Sequence, residues 1–298
     1  MNKYIKYTMI AAIILVIILA LVILNINKRT RDNVNNGKTK IVTSFYPIYI
    51  IAQNLTQGAD NIELVNMADV NVGCLHDYTL KAEDIKKIEN ADIFISNGLG
   101  MEKFLDKIIS ANTDMYIIDS SKDIQNIIKD ENEINAHVWT NIDNYITQVR
   151  SISEELQEKD SVNSSIYQKN EEEYVGKLVE LKDKTLEELK DLKGKKVIIL
   201  NEAFEYLAQE LNMDATIIKS DHEESTLSAD KLKDIIDKVK KENIQIIIID
   251  KNDNKSNAET IANETGAKIY ELNSGLTGNL DKDAYIKAIE ENLEILKW

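Results

Sequence analysis

Cysteine, proline and histidine are scarce in this 298-residue chain, which contains one cysteine, one proline and three histidines. A single cysteine excludes an intramolecular disulfide and a cysteine-rich zinc ribbon. Basic residues are also in deficit, with 36 Lys and Arg against 51 Asp and Glu, for a net charge of −15. Because nucleic acid would be repelled by that charge, we expect no nucleic-acid partner. The HExxH, GxSxG, Walker A and GxGxxG motifs are also absent, so no enzyme signature stands out.

One long apolar run is present near the N-terminus, from Met9 to Leu24, with basic residues on both sides. With its edges the run is about 18–20 residues long, roughly one bilayer crossing. A secretory signal peptide is one interpretation, but no small-x-small cleavage site and no lipid-bearing cysteine follow the run. We therefore predict an uncleaved membrane anchor or signal segment over residues 1–27 and a polar tether over 28–38. The flanking charges alone would place the bulk of the chain in the cytoplasm.

From residue 39 onward the pattern alternates between short apolar strands and amphipathic helices, in two sets. The sets are separated by a highly charged helical stretch at 162–192. This order predicts an α/β fold of two lobes, 39–161 and 193–298, each a parallel sheet flanked by helices. Residue-level signals predict helix caps at Thr79, Ser228 and Gly266.

In parallel α/β folds, ligands bind outside the carboxyl ends of the strands, and two lobes would form a cleft between them. Polar residues that directly follow predicted strands are His76, His137, Asn201, Asp250 and Asn273. Neutral imidazole is a good ligand for Zn²⁺. One loop histidine is more often structural than ligating, but two at the ends of βα units in one lobe make a ligand site equally plausible.

Other notable residues have simpler interpretations. Cys74 could be a soft ligand, but a small buried loop residue is the commoner role. His222 lies in an acidic loop and is predicted to be a solvated surface residue. Trp139 is expected to pack under the His137 loop, and Tyr78 is expected to do the same beside His76.

Segments spread over residues 39–298 also match a known motif set. "GCLHDYTL", "NAHVWTN" and "NEAFEYL" resemble, in order, the G-x-x-x-H-D/E-Y, N-P-H-x-W and H/E-x-A-F-x-Y motifs of the substrate-binding proteins of bacterial zinc and manganese ABC importers, the cluster A-I family. The resemblance implies two α/β lobes joined by one long rigid helix, here 162–192. It also implies one metal ion held by four ligands between the lobes.

By position in those motifs, His76 and His137 match the two histidine ligands of the first lobe. Asn201 falls where the family has His or Glu, and Asn273 falls where it usually has Asp. A neutral amide oxygen is a poor zinc ligand beside imidazole or carboxylate. Glu202 could replace Asn201, the site could bind a weaker or different ion or a metal chelate, or the ion could be held by two histidines and waters.

The function implied by the resemblance is an extracytoplasmic solute-binding protein anchored to the cell membrane. It would capture a divalent transition metal ion, zinc first and manganese next, and deliver it as a monomer to an ABC permease. The alternative is a divergent paralogue with weakened or lost metal binding, acting in adhesion or recognition of another ligand. A metal-dependent hydrolase is disfavoured, because Glu202 is the only evident general base.

Overall fold

The computed structural model describes residues 7, 12–18, 37–73, 75, 78–130, 133–219 and 227–297. Most of the predicted anchor and tether lies outside these ranges, as do Cys74, His76 and His222. In the ranges that are described, no helix has both the length and the apolar content needed to cross a membrane.

The first lobe is built on a parallel four-stranded sheet with the strand order β2-β1-β3-β4. Its strands are β1 (Thr39–Thr43), β2 (Ile62–Asn66), β3 (Ile93–Ser96) and β4 (Tyr116–Asp119), and its helices are α1 (Tyr46–Leu55), α2 (Ala82–Ile88), α3 (Asp106–Ala111) and α4 (Ile142–Lys159). Every residue of β3 is buried, as expected for a strand covered by helices on both faces. A two-stranded antiparallel element, β5 (Lys129–Asp130) and β6 (Glu133–Ile134), precedes α4 and was not predicted.

A single long helix, α5 (Ser164–Glu188), follows the first lobe and is continued by a 3₁₀ turn at Lys190–Leu192. Its buried side chains are Tyr167, Tyr174, Val175, Leu178, Leu181 and Thr185. Most of these recur at intervals of three or four residues, so they form one apolar stripe, and charged residues cover the rest of the helix. The stripe packs against α1 and α4 of the first lobe and α9 (Ala284–Leu296) of the second. The predicted connecting helix is thus observed.

The second lobe repeats the design with the strand order β10-β9-β7-β8, again all parallel. It contains β7 (Lys196–Ile199), β8 (Asp214–Ile217), β9 (Ile246–Asp250) and β10 (Lys268–Leu272), with α6 (Glu205–Glu210), α7 (Ala229–Glu242), α8 (Ser256–Thr265) and α9. All five residues of β9 are buried, which fits its near-continuous isoleucine run. The predicted two-lobe α/β fold is confirmed.

Two of the three predicted helix caps are confirmed. The Ser228 hydroxyl accepts a hydrogen bond from the Lys231 N–H at 3.2 Å, and Gly266 ends α8 with a φ of 76°. The cap at Thr79 was wrong, because α2 begins only at Ala82. There the Asp84 carboxylate accepts the Lys81 N–H at 2.9 Å, so an acidic residue in the first turn satisfies the helix start instead.

The lobes meet at a buried 3₁₀ turn, Val138–Thr140, just before α4. The Thr140 hydroxyl donates to the Ala203 carbonyl at 2.6 Å, and the Trp139 indole N–H donates to the Ser274 carbonyl at 2.9 Å. In the other direction, the Tyr285 hydroxyl donates to the Trp139 carbonyl at 2.8 Å. These bonds fix the loop that carries His137 against the second lobe.

Candidate metal-binding cleft

His137 lies directly before this turn and is only 2% exposed. Its backbone N–H donates to the Asn135 side-chain oxygen at 3.0 Å, and its ring Nδ1 lies 2.9 Å from the same oxygen. The Trp139 ring packs beside the imidazole with centroids 5.2 Å apart, as predicted. Because an amide oxygen only accepts hydrogen bonds, this contact calls for a proton on Nδ1. In the neutral imidazole with that proton, Nε2 is the nitrogen able to bind a metal.

His76 lies outside the described residues, but the chain on either side of it is anchored in the first lobe. Leu75 is fully buried. The Tyr78 hydroxyl donates to Asp84 at 2.6 Å, and its ring meets Phe104 edge-on at 5.5 Å. The expected packing of Tyr78 beside His76 stays a prediction.

Asn201 follows β7 closely, as predicted, and both ends of its amide have partners in the second lobe. Its side-chain oxygen accepts the Ala203 N–H at 2.9 Å, and its amide nitrogen donates to the Asp253 carboxylate at 2.9 Å. Burial raises the pKa of Asp253, and the hydrogen bond from Asn201 offsets part of that rise. Asn201 therefore supports a partly desolvated carboxylate.

Asn273 directly follows β10, and both ends of its amide also have hydrogen-bond partners in the second lobe. Its oxygen accepts the Gly275 N–H at 3.0 Å, and its nitrogen donates to the Glu291 carboxylate at 2.9 Å. Burial favours a higher pKa for Glu291, but the hydrogen bonds from Asn273 and Lys251 outweigh it and lower that pKa. The amide thus helps to keep Glu291 ionised.

Glu202 and Asp250 lie near the site in different roles. One oxygen of Glu202 is 3.9 Å from His137 Nδ1, and the other is 3.8 Å from the Lys219 ammonium. Glu202 is therefore beside the Nδ1 edge of the imidazole. Asp250 accepts backbone N–H groups from Asn252 at 2.7 Å and Ser274 at 3.1 Å, which ties together the loops after β9 and β10.

No cluster of three or more His, Cys, Asp or Glu side chains suited to a metal ion occurs in the described part of the chain. Of the predicted ligands, His76 falls outside that part, and Asn201 and Asn273 are not among those residue types. The structure brings His137, Glu202 and Asn135 together and shows the immediate partners of each asparagine. Whether the four predicted residues ligate one ion stays a prediction.

Three residues of the site were missed by the sequence analysis: Asn135, Asp253 and Glu291. Asn135 had a weak signal, because it lies two residues before His137 at the start of a recognised motif. Asp253 and Glu291 had none, since each reaches its asparagine through long-range folding from another loop or helix.

Two parallel α/β lobes, one connecting helix and a buried imidazole at their junction define a two-lobe ligand-binding protein. Comparison with known proteins specifies the family. The family described as zinc-uptake complex component A, periplasmic, matches residues 41–297. The chain belongs to this family, which confirms the resemblance seen in the motifs.

Individual relatives are similar at moderate identity. The zinc-binding lipoprotein AdcA of Streptococcus pneumoniae is 29% identical over 282 residues, covering 88% of this chain. The chain spans only 56% of that relative's length. The high-affinity zinc uptake system protein ZnuA of Bacillus subtilis is 28% identical over 299 residues, covering 91% of each chain. Among solved structures, FpvC of Pseudomonas aeruginosa in complex with Mn²⁺ has a TM-score of 0.77 at 25% identity, covering 87% of this chain and 96% of that one.

Proposed function

We propose that this protein is an extracytoplasmic solute-binding protein that captures a divalent transition metal ion and delivers it to an ABC permease. The single observation that carries the proposal is the state of His137. A buried imidazole at the lobe junction gives Nδ1 to an internal acceptor, which is the arrangement typical of a metal-binding histidine. The named functions of the family relatives support a metal as that ligand.

Zinc is the proposed cargo, with manganese second. Imidazole suits zinc better than it suits manganese, which prefers carboxylate and carbonyl oxygens. We propose that His76 and His137 are the principal ligands. The oxygens of Asn201 and Asn273 each accept one N–H and have a second lone pair, so they are weak additional ligands. Glu202 lies beside Nδ1 and would act on the imidazole instead of on the ion.

The proposed location is the outer face of the cell membrane. Several relatives are named lipoproteins, whereas the cysteine of this chain is at position 74, far from the apolar run. An anchor formed by residues 1–27 would tether the protein without a lipid, followed by the tether at 28–38. The two lobes at 39–161 and 193–298 would then bind and release metal as a monomer without catalytic turnover.

Calorimetry on the full chain in detergent, with Zn²⁺ and Mn²⁺ titrated separately, tests this proposal. We expect reversible 1:1 binding, with zinc the tighter ion. His137→Ala should weaken zinc binding by at least about 100-fold, the upper range for loss of a ligand's supporting partner alone. His222→Ala is the matched control and should bind as wild type does. Absence of binding of either ion, or wild-type affinity in His137→Ala, would contradict the proposal.

A second candidate is a divergent relative whose cleft no longer serves metal import and instead acts in adhesion or recognition of another ligand. The hydrogen bonds of Asn201 and Asn273 favour it, because both positions are built into second-lobe networks. The same titration separates the two candidates, since a wild-type chain that binds neither ion supports this one.

A further inference from the structure

We propose that the two lobes part on one side only, by rotation about a spine. The spine consists of α5, α9 and the strap, which is the segment 276–283 that leads into α9. The side that opens is the mouth, where residues 202–210 of the second lobe contact residues 124–142 of the first. Only the identity of the ligand that enters through the mouth rests on the proposed function, because the motion itself requires no metal.

The strap belongs to the second lobe in sequence but lies on helix α1 of the first lobe. The Tyr46 hydroxyl donates to the Asn279 carbonyl at 2.6 Å, and the Asn54 amide donates to the Lys282 carbonyl at 2.7 Å. At Gly278 the strap approaches so closely that an added Cβ would lie 2.5 Å from the Tyr46 oxygen. The strap is therefore fastened to the first lobe at two points and packed against it between them.

Helix α9 continues this attachment through apolar packing. Its first half, with Tyr285 and Ile289, is buried in the core of the first lobe, together with Leu276 of the strap. The Tyr285 ring stacks on Tyr145 with centroids 3.6 Å apart. Its second half, with Leu293, is buried in the core of the second lobe. Helix α9 thus joins the two cores beside α5, and pulling it from either core would expose large apolar side chains to water.

The contacts at the mouth are mainly hydrogen bonds. The Tyr206 hydroxyl of α6 donates to the Asn135 carbonyl at 2.8 Å and accepts the Ile128 N–H at 2.9 Å. The Thr140 hydroxyl donates to the Ala203 carbonyl. When the mouth opens, water can take the place of each of these partners, so the net cost of losing the bonds is modest.

Apolar packing at the mouth is small by comparison. In the described part of the chain, its buried cluster consists of Ile124, Val138 and Tyr206. The first-lobe core includes no described residue from 193–272, so the body of the second lobe does not contribute to it. Because the spine buries far more apolar surface than the mouth, the mouth needs less free energy to open. A ligand would then reach the lobe junction from the α6 side.

Distances between pairs of spin labels, measured by double electron–electron resonance, test the proposal on the metal-free full chain in detergent. Cys74→Ser removes the native thiol. The mouth pair of labels is Asn126→Cys with Gln209→Cys, and the spine pair is Asp60→Cys with Glu294→Cys. All four labelled positions are exposed, so the labels leave both cores intact.

The mouth variant combines Tyr206→Phe with Thr140→Val and removes three hydrogen bonds across the mouth. Each lost bond should favour the open form about 5-fold, so the three together should favour it about 100-fold. We expect the distances of the mouth pair to become longer and more broadly distributed, while those of the spine pair stay at wild-type values. If this variant does not fold, Tyr206→Phe alone takes its place, with an expected shift of about 25-fold.

The matched control weakens the spine instead. Tyr46→Phe with Asn54→Ala removes the two hydrogen bonds that fasten the strap to α1. The apolar packing of α9 in both cores is unchanged by these substitutions. We therefore expect both label pairs to keep their wild-type distances in the control variant.

Lengthening of both pairs in the mouth variant would overturn the proposal, because the lobes would then separate as whole bodies. A mouth pair that stays unchanged, or a spine pair that lengthens in the control variant, would overturn it as well. Because no metal is present, the two proposals can fail separately. One-sided opening supports the spine even if calorimetry finds no metal binding, and zinc binding by a chain whose two pairs lengthen together would overturn the spine and leave the metal receptor intact.

Discussion

In the first lobe, His137 hydrogen-bonds through ring nitrogen Nδ1 to an internal acceptor, the side chain of Asn135. In the second lobe, Asn201 and Asn273 use both ends of their amides inside the lobe, and each donates to a carboxylate. A histidine held in this way has the arrangement typical of a metal ligand, whereas the hydrogen bonds of the two amides stabilise their own loops. Under the proposed function, the first lobe would supply the principal ligands, and the two asparagines of the second lobe would contribute weakly.

The two asparagines also differ from carboxylate ligands in where the nearest negative charge lies. Neutral amides occupy the positions that resemble ligand positions, and the carboxylates of Asp253 and Glu291 lie directly behind them. If Asn201 and Asn273 face the ion as proposed, a divalent ion would meet their amide dipoles first and the carboxylates only at a greater distance. Coulombic attraction falls with distance and with solvent screening, so the ion would be held more weakly than by direct carboxylate ligands.

The largest expected effect concerns the buried carboxylates, one in each lobe. Burial raises the pKa of both Glu102 and Glu210 to about 7. A folded-state pKa above the unfolded value gives stability that is present at low pH and lost as pH rises from about 4.5 to about 7. Between pH 5 and pH 8, the unfolding free energy of wild type should fall by about 2 kcal/mol more than that of Glu210→Gln.

Urea unfolding at the two pH values measures this difference. Glu210 accepts the Ile142 N–H across the lobe junction, whereas Glu102 accepts the N–H groups of Asn97 and Gly98 within the first lobe. Glu102→Gln is therefore the matched control, with a similar pH effect but no contact between lobes. Parallel pH curves for wild type and Glu210→Gln would show that the Glu210 carboxylate is not the titrating group.

A smaller effect is expected from restoring an acid at position 273. The amide of Asn273 now donates a hydrogen bond to the Glu291 carboxylate. In Asn273→Asp a second carboxylate takes its place, and the two carboxylates repel each other. Because Glu291 is nearly half exposed, screening limits the cost to about 1 kcal/mol of unfolding free energy. We expect no gain in zinc affinity from the single change.

Adding Glu291→Gln removes the repulsion and should raise zinc affinity about 10-fold, since a carboxylate is a better zinc ligand than an amide. Equal affinities of the single and double variants would argue that position 273 is remote from the ion.

The smallest expected effect is on metal affinity in Asn201→Ala. If the amide is structural, zinc affinity should change by less than about 3-fold, while unfolding free energy falls by about 1 kcal/mol because Asp253 loses a donor. Calorimetry and urea unfolding measured on the same preparation separate the two quantities. A loss of affinity as large as that of His137→Ala would instead make Asn201 a true ligand and remove the contrast between the lobes.

Much of the fold could be predicted because its signals are local. Strand-helix alternation, the Ser228 cap and the Gly266 cap each depend on a few neighbouring residues. The start of α2 was misplaced because Asp84, in the first turn of the helix, accepts the N–H of the cap residue Lys81, so the helix begins after Lys81 and Thr79 is not its cap. Less of the candidate site could be predicted. The place of His137 in a loop follows from its motif, but the partners of Asn135, Asn201 and Asn273 belong to distant segments that only the folded chain brings together.

The buried Trp139 at the lobe junction has an optical consequence. The chain contains two tryptophans, and the other is the last residue, Trp298. Trp139 is fully buried, with its indole N–H bonded to Ser274 of the second lobe and Phe45 of the first lobe packed edge-on at 5.1 Å. Separation of the lobes would break that bond and hydrate the indole. In a Trp298→Phe variant, the fluorescence of Trp139 would therefore report separation of the two lobes without any attached label.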